Sequence, residues 1–236
     1  MMSSNGKKQG IAFIFAAVAT LVGCGGTEGV DTTTPSADEA AYLDELFPSW
    51  SDVGSMVADS SKYQYREPPV PIMVDGQLRP AASIKEFNGR PLVFLANAES
   101  TEGGFLFVFK NPEELRRHLQ ERGAMPRAQG ASDVSALGVN DPSPSAFYTN
   151  SGLQGSVMHL SVGSSIYNLT DRPLDVFWTW NDKISSVQAT GLGSYTILYE
   201  HSGYTGAQFW VARGASIFNL DWHSFNDRTS SIRVVW

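Results

Sequence analysis

Apolar and polar residues alternate in three different ways along this chain. From Ile11 to Val22 the residues are apolar apart from Thr20, after a polar start that holds Lys7 and Lys8. A helix of that length, rising about 1.5 Å per residue, falls well short of a bilayer core of about 30 Å. Residues 1–23 therefore read as an export signal, with this run as its apolar core. Farther on, Leu92-Val93-Phe94-Leu95 and Phe105-Leu106-Phe107-Val108-Phe109 are short apolar runs separated by a segment that ends in Gly103-Gly104. That is the pattern of two antiparallel strands with a longer connection. A helix is predicted directly after them. Asn111 can cap it, Pro112 suits its first position, Glu114 has capping-box spacing, Leu115 and Leu119 share a face, and Gly123 fits the stop. A short helix is expected around Ala41–Phe47 and an extended segment from Pro68 to Pro71. Together these make a small α+β domain over 38–122.

The third pattern begins at Ala146. Short runs such as Thr196-Ile197-Leu198-Tyr199 and Ala207-Gln208-Phe209-Trp210-Val211 are broken by Gly, Asn, Asp and Ser, which predicts a mainly β domain over 146–236. This part is duplicated internally. Gly163-Ser164-Ser165-Ile166-Tyr167-Asn168-Leu169 aligns with Gly214-Ala215-Ser216-Ile217-Phe218-Asn219-Leu220, Gly155 with Gly206, and Tyr148 with Tyr199, all at one offset. Asn181-Asp182-Lys183-Ile184-Ser185-Ser186 then aligns with Asn226-Asp227-Arg228-Thr229-Ser230-Ser231 at a shorter offset. The first copy thus carries an insertion within Asp171–Trp180. Its aromatics, Phe177, Trp178 and Trp180, are expected to cover the core, the other reading being a platform for a sugar or partner surface. Roughly four strands per copy give two antiparallel sheets, and half of such a sandwich could not bury its own apolar face.

Composition changes the picture in three ways. The 236 residues hold 17 Lys and Arg against 24 Asp and Glu, a formal charge of −7, the wrong sign for a nucleic-acid binder. The charge is uneven, because Cys24–Ser145 carries 10 basic and 18 acidic residues and Ala146–Trp236 only 5 and 6. The single cysteine excludes an intramolecular disulfide framework, a thiolate zinc cluster and a Cys-x-x-Cys pair, so any metal must be held by oxygen or histidine. Residues 24–37, poor in large apolar side chains, form a flexible tether, and 123–145, rich in Gly, Pro, Ser, Ala and Asp, a linker. No His-x-x-x-His pair, Gly-x-Ser-x-Gly elbow or phosphate loop occurs, and Glu99, Glu102, Glu113 and Glu114 read as loop and helix-start charges. An enzyme is not expected.

Two resemblances follow from these residues. Leu21-Val22-Gly23-Cys24 resembles the bacterial lipobox, which implies that Cys24 becomes the acylated first residue of an exported, lipid-anchored protein of the cell envelope. Gly25 after the cysteine, rather than Asp, is similar to the default signal for the outer membrane. The repeat resembles the microbial, calcium-binding βγ-crystallin double Greek key. The likeness rests on Tyr199, Tyr204 and Gly206 at hairpin spacing and on the two Asn-Asp-x-x-Ser-Ser hexamers. In the first copy Leu153 replaces the second aromatic and Thr149 stands where the second copy has Glu200.

The resemblance implies two calcium ions. One would take the Lys183 carbonyl, the Ser185 hydroxyl and the Asp227 carboxylate. The other would take the Arg228 carbonyl, the Ser230 hydroxyl and the Asp182 carboxylate. Asn181 and Asn226 open the two hexamers, and a further carbonyl is expected near Thr149 and Glu200. Oxygen donors of these mixed types suit a cation that accepts about six to eight of them in irregular geometry. Lys183 and Arg228, ligating through the backbone, are expected to point their charges into solvent. A protease inhibitor of similar fold and a carbohydrate- or partner-binding module are the alternatives, although the inhibitors of that kind depend on disulfides.

Overall fold

Local signals set the two helices. Ser36 Oγ accepts the Glu39 amide at 3.2 Å and opens α1 (Ala37–Leu46), which starts four residues ahead of the predicted segment. Asn111 Oδ1 accepts the Glu114 amide at 2.8 Å and Glu114 Oε2 accepts the Lys110 amide at 2.9 Å, opening α2 (Pro112–Glu121) where the spacing placed it. The computed structural model describes residues 36–50, 61, 63–97, 100, 104–128 and 143–236. The export signal, Cys24, the tether up to residue 35, and Glu99 and Glu102 lie outside the described residues, whereas Ser36 and Ala37, the last two tether residues, open α1. No described helix is long and apolar enough to cross a membrane.

Between the helices, β1 (Ile72–Val74) and β2 (Gln77–Arg79) form a hairpin turned by Asp75 and Gly76, both with positive φ. The two apolar runs become β3 (Val93–Ala96) and β4 (Leu106–Phe109), antiparallel, with Val93 opposite Phe109. The first repeat supplies β5 (Ser145–Asn150), β6 (Gln154–Leu160), β7 (Ser165–Ile166) and β8 (Ser186–Gln188). The second supplies β9 (Tyr195–His201), β10 (Thr205–Ala212), β11 (Ser216–Ile217) and β12 (Ser231–Val235). In each copy the first, second and fourth strands lie side by side and the third is handed to the other copy. Thus β7 pairs with β12 and β11 with β8. Neither copy closes its sheet alone, which is the physical meaning of the duplication.

The segment expected to form a domain of its own joins this arrangement. β3 adds to β10 in parallel, Val93 opposite Gln208 and Leu95 opposite Trp210, and β4, β1 and β2 continue the sheet to eight strands. Pro35–Trp236 therefore packs as one body. Residues 129–142 of the linker lie outside the described residues.

The large sheet is covered on both faces. Phe94, Leu198, Phe209 and Ile232 face the four-stranded sheet, where Phe147, Ile184 and Val187 meet them. Val93, Leu95, Ile197, Tyr199 and Trp210 point the other way, onto Leu43, Leu46 and Phe47 of the α1 segment and Leu115 and Leu119 of α2. Phe47 stacks on Trp210 with ring centroids 5.2 Å apart. Burial is consequently continuous along β9 and β10, whereas β6, at the edge of the small sheet, stays exposed. Runs buried on both faces lose the alternation of a half-exposed strand.

The insertion behaves differently from expectation. Trp180 is buried, but Val176, Phe177 and Trp178 are 93%, 88% and 58% exposed at the tip of a turn. The tip is closed by its own backbone and by Asp175, so those side chains have no core surface within reach.

Candidate metal centre

The two hexamers form matching corners. Asp182 and Asp227 both adopt left-handed backbone, φ 54° and 51°, and each is tied to the other hexamer: the Asp182 amide donates to the Thr229 carbonyl at 3.0 Å and the Asp227 amide to the Ile184 carbonyl at 3.2 Å. Asn181 Nδ2 and Asn226 Nδ2 each donate to the following aspartate at 2.8 Å, fixing one carboxylate oxygen and leaving the other turned across the pair. The final serines hold the hairpins. Ser186 Oγ donates to the Asn150 carbonyl at 2.6 Å and accepts the Leu153 amide at 3.1 Å; Ser231 Oγ does the same with His201 and Tyr204 at 2.6 and 3.1 Å. Leu153, with φ 57°, takes the conformation of Tyr204, with φ 60°, so the missing aromatic does not unfold the first hairpin.

Across the corners the remaining oxygens meet reciprocally. Asp227 Oδ1 lies 3.4 Å from Ser185 Oγ, and Asp182 Oδ1 lies 3.5 Å from Ser230 Oγ. Ser185 Oγ also donates to the Thr149 carbonyl at 2.9 Å. Neighbouring oxygens that share one calcium ion at about 2.4 Å lie roughly 3 to 3.5 Å apart, so both sets have fitting separations. Each set holds one carboxylate, and among the described residues no group of three His, Cys, Asp or Glu side chains gathers for a metal. The donor chemistry therefore fits a hard cation held weakly, with carbonyls, hydroxyls and water completing the shell, and does not fit a thiolate- or imidazole-loving metal.

Electrostatics distinguish the two corners. Burial, with the facing Asp227 charge adding to it, raises the Asp182 carboxyl above its ordinary value against the opposing Ser230 hydrogen bond. A cation beside Asp182 would reverse that shift. Glu200 shows the opposite balance. Burial pushes it up, yet the Arg228 guanidinium at 2.8 Å and the Ala207 amide at 3.1 Å bring it below the ordinary carboxylate range. Asp182, Glu200, His201, Asp227, Arg228 and Ser230 line one cavity of about 340 Å³ at this corner.

One side chain departs from expectation. Arg228 does not point into solvent: its Nη1 donates to the Ser224 carbonyl at 2.7 Å, and its guanidinium lies 5.6 Å from the Tyr63 and Phe225 ring centroids. Lys183 turns its ammonium over the Trp178 ring, 4.6 Å from the centroid. Sequence reasoning missed the side chains of Glu200, Tyr63 and Arg228 as a unit. Its one trace was the Thr149-for-Glu200 difference between copies, because Tyr63 Oη donates to Glu200 Oε2 at 3.1 Å from a segment far away in sequence.

No protein-family model matches the chain, and no curated protein does. Solved structures do. A βγ-crystallin domain from Flavobacterium johnsoniae is 32% identical, over 38% of this chain and 90% of its own length, with a TM-score of 0.29. The N-terminal domain of protein S is 30% identical, over 38% and 92%, with a TM-score of 0.31. A clostrillin double mutant in complex with nickel is 21% identical, over 39% and 98%, with a TM-score of 0.29. Each accounts for about two-fifths of this chain, the size of the repeat. Its C-terminal repeat, with two Greek keys exchanging their third strands and a paired hexamer at each corner, is similar to these βγ-crystallin domains.

Proposed function

We propose that this is a lipid-anchored protein of the bacterial cell envelope, held at the outer membrane through Cys24, whose βγ-crystallin domain binds two calcium ions as a structural element. The observation that carries the calcium reading is the reciprocal approach of Ser185 to Asp227 and of Ser230 to Asp182. Lys183 and Arg228 offer their carbonyls to these sets, and Thr149 offers its own to the first. Each ion's contribution is to neutralise one of the two facing carboxylates and to tie the hexamers together. One carboxylate per ion corresponds to affinities of order 10⁻⁵ to 10⁻³ M, suited to a compartment open to external calcium. Anchoring rests on the Leu21-Val22-Gly23-Cys24 sequence and the tether behind it.

The test is calorimetric calcium titration of residues 25–236, wild type beside Asp182→Ala with Asp227→Ala, with melting curves in calcium and in chelator. The segment from Pro35 is kept because the repeat alone would expose Ile197, Tyr199 and Trp210. Two ions bound, and stabilisation of about 2.7 kcal/mol per independent site at a hundred times Kd, are expected, both lost in the double variant. No heat at millimolar calcium refutes the reading. Anchoring is tested separately, by acyl labelling of the full chain, which Cys24→Ser should abolish.

A further inference from the structure

The turn between Pro173 and Thr179 is a convex tip that presents three successive apolar side chains to water. Val176 and Phe177 are almost wholly exposed and Trp178 more than half. Single exposed apolar residues are ordinary, but contiguous ones projecting from a closed turn mark a contact surface. Several backbone groups at this tip are already paired. Asp175 Oδ1 accepts the Phe177 and Trp178 amides at 2.8 and 2.9 Å, and the Trp178 carbonyl accepts the Leu174 and Asp175 amides at 2.8 and 3.2 Å. An antiparallel bridge between Pro173 and Thr179 closes the base. Lys183 lies over the Trp178 ring, setting a cation just behind the apolar side chains.

We propose that Val176, Phe177 and Trp178 insert into the interfacial region of a lipid bilayer. Three features favour lipid over a protein. Unpaired backbone groups are costly in an apolar medium, and Asp175 already satisfies the Phe177 and Trp178 amides. An indole with an ammonium behind it matches the headgroup boundary, where tryptophan and lysine both settle. A tip three residues wide is also far smaller than the roughly 800 Å² per partner of a stable protein interface, whereas shallow insertion needs only side chains that reach the acyl boundary. The inference goes beyond the calcium and anchoring readings and does not depend on either, since the tip lies outside the Ser–Asp sets and the chain tested lacks Cys24.

Residues 25–236, which contain the whole described body, are sedimented with vesicles of phosphatidylcholine and phosphatidylethanolamine, and with vesicles enriched in phosphatidylglycerol. Wild type is expected to sediment with both. Phe177→Ser combined with Trp178→Ser should lower the partition coefficient at least about tenfold, each large apolar side chain contributing a factor of that order when buried. Phe177→Leu should retain binding. The urea midpoint should not move in either variant, because these side chains are exposed. Lipids brominated in their upper acyl segment should quench wild-type tryptophan fluorescence and spare the Trp178→Ser variant. Equal partitioning of wild type and double variant, or no sedimentation of wild type, overturns the proposal. So does retention on an immobilised polysaccharide, or concentration-dependent dimerisation, that the same double variant abolishes.

Discussion

Replacing Arg228 by Met removes one charge from a buried corner while keeping the apolar stem against the Tyr63 and Phe225 rings. The partner left behind is Glu200, whose side chain is 8% exposed and which loses its 2.8 Å guanidinium contact. Breaking a buried ion pair costs about 3 to 5 kcal/mol when nothing else solvates the survivor. Here Tyr63 Oη and the Ala207 amide still donate to Glu200 Oε2, so we expect about 2 to 4 kcal/mol at pH 7. For a body of this size that is a fall in Tm of roughly 5 to 15 °C. The sign of the pH dependence is the sharper test. In the wild type the Glu200 carboxyl is held below its unfolded value, so its stabilisation is present above that value and lost as pH falls through the folded one. Without Arg228, burial dominates and the folded value lies above the unfolded one. Stability then falls as pH rises through the folded value, so acid relieves the variant. Urea melts of residues 25–236 at pH 7 and pH 5 in chelator should show the destabilisation shrinking at the lower pH. A destabilisation independent of pH would refute the claim that an uncompensated Glu200 charge is its source.

Gly206→Ala and Gly214→Ala separate backbone strain from crowding. Both sit at positive φ, but a Cβ at 206 would lie 2.8 Å from His201 Cδ2 and 3.0 Å from Glu200 Cβ, whereas one at 214 meets nothing within 4 Å. Denaturant melts should show about 1 to 2 kcal/mol lost at 214 and at least about 1 kcal/mol more at 206; equal losses would exclude the crowding. His223 is buried against Phe209, its Nδ1 has no hydrogen-bond partner among the described residues, and burial lowers its pKa to about 4. Because the unfolded imidazole protonates near pH 6.5, stability should decline by about 3 kcal/mol as pH drops from there to about 4. His223→Phe should flatten that part of a stability–pH curve, and an unchanged slope would show that the acid lability arises elsewhere.

Much of this protein was legible along the chain because the physics is local or repeated. Asn111, Pro112 and Glu114 carry their own capping geometry, so α2 was placed without any knowledge of what it covers. The repeat placed both hexamers at equivalent corners, since two copies of one folding unit bend at the same residues. The reciprocal pairing of Ser185 with Asp227 and Ser230 with Asp182 was carried by the family resemblance, and the structure brings those oxygens within 3.5 Å. Tertiary structure decided what depends on pairing between distant segments. Nothing in Leu92–Leu95 names Gln208–Trp210 as its neighbour, because a parallel strand pair is specified by long-range packing and not by a turn. The continuous burial of Ile197, Leu198 and Tyr199 needed the α1 segment and α2 on one face and the small sheet on the other. Arg228 turned inward because Glu200 and Tyr63 supplied a buried partner and an aromatic face, neither of which its own hexamer contains. Phe177 and Trp178 stayed outside because Asp175 closes the turn locally and leaves them no path to the core. The sequence by itself determined the elements that its own neighbours can cap, bend or repeat. The meeting of segments far apart in the chain determined which faces are buried and which charges are paired, since only there are desolvation and compensation settled together.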